Sequence, residues 1–173
     1  MKMKRHSNAK QENLVLALGN WYQQDDAIAL VMLERLKQSP IPSVKFKATE
    51  EAGLSLLDYL VGYEQVILID AMISSGVEGK VHILKPDDFH IHAAAAWHQM
   101  GIPEILQIGK ELKLPMPRSV YLIGITVNHC NWGEDGICMH LQKMLPQIES
   151  ACQTAIRRML FGKATVENGS NIN

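Results

Sequence analysis

Three residues spread along the chain, Asp26, Asp70 and His98, combine two hard carboxylate donors with one softer imidazole. Such a set suits a borderline divalent ion such as nickel or zinc, and three ligands leave coordination positions open for a substrate. The residues are far apart in sequence and match no short metal motif such as His-Glu-x-x-His, so spacing alone does not assemble them. Each also has an ordinary explanation. Asp25 or Asp26 suits the cap of a helix, and Asp70 suits a loop cap after a strand. His98, within Trp97-His98-Gln99-Met100-Gly101, suits a structural role in a turn.

The other candidates are weaker. His6 lies in a polar amino-terminal stretch, His82 in an apolar strand and His140 beside the last helix, where surface or packing roles are expected. His90 and His92 alternate across one segment, and a two-residue spacing is slender evidence for metal binding. Cys130, Cys138 and Cys152 form no Cys-x-x-Cys pair, and Cys130 beside His129 is expected to be a loop pair, since adjacent residues seldom supply a nucleophile and its base. Gly19-Asn20-Trp21 lacks the Gly-x-Gly-x-x-Gly fingerprint, and neither a Gly-Lys-Ser/Thr phosphate loop nor a Gly-x-Ser-x-Gly elbow occurs. Nucleotide cofactors and serine-hydrolase chemistry therefore lack support.

The elements that must carry these residues follow from apolar periodicity. Leu14 to Leu18 and Val66 to Ile69 are continuous apolar runs, as expected of strands covered on both faces, and Asp70 is expected at the carboxyl end of the second, beside the first. Ile28, Val31, Met32 and Leu36 recur at helical spacing in a helix beginning near Asp25. Val44 to Ala48 alternates as a half-exposed strand near the sheet edge, and Glu51 to Val61 is predicted to be helical. Val81 to Leu84 follows Ile69 too closely for a parallel crossover, which predicts antiparallel pairing. Pro103 is placed to start a helix running to about Leu112, Val120 to Ile125 forms the last core strand, and Leu141 to Leu160 closes the chain as a helix started or bent near Pro146. Together these predict a three-layer α/β/α sandwich around a mostly parallel five-stranded sheet with one antiparallel strand. In such sheets ligands gather outside the carboxyl ends of the strands, which is where Asp26 and Asp70 are expected.

The chain has 173 residues, 47% of them hydrophobic, enough for one domain with a full core; residues 1–173 are expected to form it, with loose ends at about 1–12 and 164–173. A net charge of -1 offers no attraction for nucleic acid. The basic start, Met1 to Asn8, is followed by no apolar signal core, which predicts no membrane anchor and a cytoplasmic location. Three cysteines fit a reducing compartment, and the expected form is a monomer.

Taken in order, Leu16-Ala17-Leu18-Gly19-Asn20 with Asp25-Asp26-Ala27-Ile28-Ala29, Val66 to Ala71, and His98-Gln99-Met100-Gly101-Ile102 resemble the hydrogenase maturation proteases. The likeness continues through Tyr121 to Ile125 and Trp132-Gly133-Glu134 into the last helix, spanning roughly Leu14 to Leu160. The resemblance implies an endopeptidase that recognises nickel already inserted in the large-subunit precursor of a nickel-iron hydrogenase and removes its carboxyl-terminal extension. It puts Asp26, Asp70 and His98 on the positions of the metal ligands, with nickel supplied by the substrate. The chain departs from the family pattern in two loops. Ala48-Thr49-Glu50-Glu51 replaces an Asp-Gly-Gly-Thr type segment, which makes Thr49, Glu50 and Glu51 candidates for substrate choice, and Thr126-Val127 replaces a Gln-Pro. The first ligand position holds Asp rather than the more frequent Glu. A non-cleaving nickel-site checkpoint protein is the alternative. A peptidyl-tRNA hydrolase-like enzyme, suggested by Leu18-Gly19-Asn20, lacks the histidine that family needs soon after this motif.

Overall fold

Alternating buried strands and one-sided helices build a five-stranded sheet with helices on both faces. The computed structural model describes residues 12–85, 88, 101–128 and 136–162. In chain order these form β1 (Asn13–Leu18), α1 (Ile28–Lys37), β2 (Val44–Thr49), α2 (Leu57–Leu60), β3 (Gln65–Ile73), β4 (Val81–Leu84), α3 (Ile102–Glu111), β5 (Ser119–Val127) and α4 (Met139–Phe161). The sheet order is β2-β1-β3-β5-β4, with β4 alone antiparallel. This is the predicted sandwich, with β1 beside β3 and the alternating strand β2 at one edge. Among the described residues no helix is long and apolar enough to cross a membrane.

Strand periodicity divides the core in two. Val15, Ala17, Ile67, Ile69, Ile123 and Ile125 point to one face and pack with Ile28, Leu33 and Leu36 of α1 and Ile148, Cys152 and Ile156 of α4. Leu14, Leu16, Leu18, Val66, Leu68 and Leu122 point to the other, under Leu60 of α2 and Ile102 and Ile105 of α3. Full burial of one such side chain stabilises the fold by about 1.5–3 kcal/mol, so these two layers hold the strand ends where the polar residues sit.

Three local expectations are corrected and a fourth is narrowed. The first helix opens with a 3-10 turn, Gln24–Ala27, and becomes α-helical only at Ile28, because the chain must first turn back from β1. The Glu51 to Val61 segment yields a 3-10 turn, Gly53–Leu56, and a single α-helical turn; Gly53 at φ +59° and Gly62 at φ +89° bracket it. β3 continues three residues past Asp70 because β5 pairs with it as far as Ile73↔Val127. Pro146, expected to start or bend the last helix, lies inside α4 on its exposed side, which excludes the start and leaves the other alternative standing. Other expectations hold: Pro103 sits in the first turn of α3, whose preceding Gly101 adopts φ +103°, and β4 pairs antiparallel with β5.

Candidate functional site

β1 ends at Leu18, and the next residues determine where Asp26 points. A Cβ at Gly19 would lie 2.5 Å from the Asp26 carbonyl oxygen, so only glycine lets the chain after β1 pass this close to the 3-10 turn. Asn20 then donates its backbone N–H to Asp26 Oδ2 at 2.7 Å, and its own Oδ1 accepts the Tyr22 N–H at 2.8 Å. Asp26 is 2% exposed and turned back toward β1. Its neighbour Asp25 is fully buried and turned away, its Oδ1 accepting the Cys138 backbone N–H at 2.6 Å. The N-cap positions of the turn and of α1 fall on Gln23 and Ala27, so neither aspartate occupies the capping position expected locally.

Asp70 is fully buried in β3. The pairing of β1 with β3 ends at Ala17↔Ile69, so Asp70 is the first β3 residue beyond the end of that ladder. On its other side it stands opposite Gly124, which in turn stands opposite His82 of β4. Directly paired residues share a sheet face. Asp70 and His82 therefore occupy one row, separated by a residue without a side chain, on the face covered by α2 and α3. Met72 fills the space over Gly124, where an added Cβ would fall 1.8 Å from its Sδ. The placement of His82 beside this row was not legible from its sequence position.

His98 lies outside the described residues, as do His90, His92, His129, Cys130 and the Trp132-Gly133-Glu134 segment. The described chain resumes at Gly101, and Ile102 and Ile105 pack in the same apolar cluster as Leu68 and Met72, which flank Asp70 in β3. The first turn of α3 therefore lies over the sheet face from which Asp70 projects.

Thr49, Glu50 and Glu51 line a cleft of about 400 Å³ together with Trp21, Leu30 and Tyr59. The segment is ordered by a short turn in which Thr49 Oγ1 accepts the Glu51 N–H at 3.0 Å. Leu18 pairs with Thr49, so this cleft opens at the strand end that also leads to Gly19 and Asn20.

A further cluster was not anticipated. One carboxylate oxygen of Asp25, one of Glu78 and the Cys138 sulfur lie within 4.8 Å of one another. Glu78 sits in the β3–β4 connection, pinned by Thr126: its Oγ1 accepts the Lys80 N–H at 2.8 Å and donates to the Val77 carbonyl at 2.5 Å. Thr126, one of the departures from the family pattern, thus shapes this loop. Burial pushes the Cys138 thiol up; a Leu141 backbone hydrogen bond opposes this, while the Asp25 and Glu78 charges add to it. Cys152, by contrast, is a core residue, its thiol pushed up to about 12 chiefly by burial and further by Glu149. The cluster joins residues distant in sequence, and only tertiary structure brings them together.

Comparison with known proteins agrees with this architecture. No curated protein sequence matches the chain significantly. Among solved structures, the hydrogenase maturating endopeptidase HybD from E. coli superposes with a TM-score of 0.70 at 22% identity, covering 87% of this chain and 94% of that one. The [NiFe] hydrogenase maturation protease HycI from Thermococcus kodakarensis KOD1 gives 0.64 at 19% identity, with 87% and 95% covered. HybD from Thermococcus kodakarensis gives 0.62 at 19% identity, with 84% and 99% covered. The sequence profile of the hydrogenase maturation proteases, HycI type, matches residues 35–160. With most of its length matched by that profile, the chain belongs to the hydrogenase maturation protease family of peptide hydrolases.

Proposed function

We propose that this protease recognises nickel in the large-subunit precursor of a nickel-iron hydrogenase and cuts off the precursor's carboxyl-terminal extension, with Asp26, Asp70 and His98 engaging the metal. The observation that carries the proposal is the placement of two buried carboxylates at the same end of neighbouring parallel strands. Asp26 is anchored by Asn20, and Asp70 emerges where the β1–β3 ladder ends. This is the region of an open α/β sheet where ligands bind.

Nickel in this account arrives with the substrate. Two carboxylates and an imidazole complete the coordination of a borderline ion that the precursor already holds, and thereby fix the scissile bond nearby. A metal so placed polarises a carbonyl or lowers the pKa of bound water. The Asn20 N–H holds Asp26 at a fixed angle, so the carboxylate does not have to be ordered when substrate docks. The cleft bearing Thr49, Glu50 and Glu51 then contacts the precursor beside the metal, and its composition selects which precursor is accepted.

Incubation with nickel-loaded and nickel-free precursor tests this, with the carboxyl terminus weighed by mass spectrometry. Shortening of the loaded form alone is expected. Equal cleavage of both forms would contradict metal recognition, and tight binding without shortening would instead identify a non-cleaving checkpoint protein.

A further inference from the structure

We infer that Asp25, Glu78 and Cys138 form a second cation site, distinct from the Asp26 and Asp70 region, which takes a borderline divalent ion of the zinc class through one thiolate and two carboxylates. Three segments meet there: the 3-10 turn before α1, the β3–β4 connection and the residue preceding α4. Cys138 Sγ lies 4.0 Å from Glu78 Oε1, and one oxygen from each carboxylate lies with the sulfur inside a 4.8 Å span. Ligands around a tetrahedral ion with metal–ligand distances of about 2.0–2.3 Å stand somewhat closer than this, which modest side-chain rotation supplies.

A second observation points to a ligand. Asp25 is fully buried, and while its Oδ1 accepts the Cys138 N–H, its Oδ2 has no hydrogen-bond partner among the described residues. Burying a carboxylate oxygen without a donor is costly, and here a second carboxylate, Glu78, with a side chain only 9% exposed, stands in the same cluster. Two like charges in a poorly hydrated place call for a cation. His140 approaches the cluster from the solvent side, its Nε2 3.7 Å from Glu78 Oε2 and its side chain 66% exposed. That contact is long and loose. It leaves Asp25 uncompensated, but it places an imidazole where it can join as a fourth ligand.

The donor set selects the ion class. A thiolate favours zinc, cobalt or similar ions over magnesium and calcium, while the carboxylates disfavour soft monovalent copper. The thiol proton leaves to solvent as the sulfur binds. An ion there staples the turn that carries Asp26 to β4's entry loop and to the start of α4, and so stiffens the backbone next to the proposed nickel-recognition residues.

The test uses the full chain, stripped with chelator and titrated with cobalt(II) and then zinc(II). One equivalent of cobalt is expected to give a thiolate-to-cobalt charge-transfer band in the near ultraviolet, displaced by zinc. Cys138→Ser is expected to abolish the band, and Glu78→Gln to weaken cobalt binding by at least about tenfold. Cys130→Ser and Asp26→Asn are expected to leave it in place, which separates this site from nickel recognition. Absence of the band in the unmodified chain, its survival in Cys138→Ser, or its loss in Cys130→Ser overturns the assignment. If circular dichroism shows that Cys138→Ser is unfolded, unchanged cobalt affinity in Glu78→Gln overturns it by itself.

Discussion

Asp25 and Asp26 are adjacent, both acidic and both buried, yet they belong to different regions of the molecule. Asp26 turns back to the Asn20 N–H at the end of β1, in the region it shares with Asp70; Asp25 turns to the Cys138 N–H at the start of α4, in the region it shares with Glu78. A 3-10 turn makes this split possible, since successive side chains there point about a third of a turn apart. The first region accounts for the proposed chemistry on an incoming substrate. The second accounts for how the turn itself is held. Identical residue type and adjacent position thus say little about role until the partner atoms are known.

Neutralising each aspartate separately distinguishes the two regions most sharply. Asp26→Asn keeps an oxygen to accept the Asn20 N–H but removes the charge. Precursor cleavage is expected to fall by at least about a hundredfold, with an unchanged circular dichroism spectrum; near-normal cleavage rates would remove Asp26 from the site.

Gly19→Ala acts on the same region through the backbone. Its Cβ would meet the Asp26 carbonyl oxygen at 2.5 Å, so the turn must shift. Overpacking of this kind costs about 1–3 kcal/mol, and cleavage should fall roughly tenfold or more. Urea unfolding together with cleavage assays checks both, and a fully active, fully stable variant would show that the close approach does not matter.

In the second region, Asp25→Ala strands the Cys138 N–H without its acceptor. Stability should drop by about 1–3 kcal/mol, read as a lower urea midpoint. Thr126→Val removes the hydroxyl that ties down the Glu78 loop while keeping the strand's shape. A loss of about 1–3 kcal/mol is expected, with cobalt binding weakened more than cleavage. The smallest effect belongs to Arg35→Ala, which breaks the partly exposed Arg35–Glu149 ion pair between α1 and α4. A change of about 0–1 kcal/mol is expected, with both regions otherwise unaffected.

The fold was largely legible in the sequence because continuous apolar runs such as Leu14–Leu18 and Val66–Ile69 announce strands buried on both faces, and a short connection forces β4 to be antiparallel. Helix starts were less legible. Asp25 and Asp26 look like caps in isolation, but backbone N–H donors from outside the helix engage their carboxylates. The extent of β3 depended on β5, a partner more than fifty positions away, which no local pattern encodes. Asp26 and Asp70 were candidates because of their positions after strands and the family resemblance, and both lie where the β1–β3 ladder ends. The Asp25, Glu78 and Cys138 cluster was not, because its members come from three connections whose convergence depends on the packing of α1 and α4 against one sheet face.

Whether Asp26 serves a metal that the substrate brings is read directly from the precursor's mass. Nickel-loaded and nickel-free precursor are each incubated with the unmodified protein and with Asp26→Asn, and the precursor mass is read over time. Shortening is expected only for loaded precursor with the unmodified protein. Equal shortening of both precursor forms, or undiminished shortening by Asp26→Asn, would contradict that role.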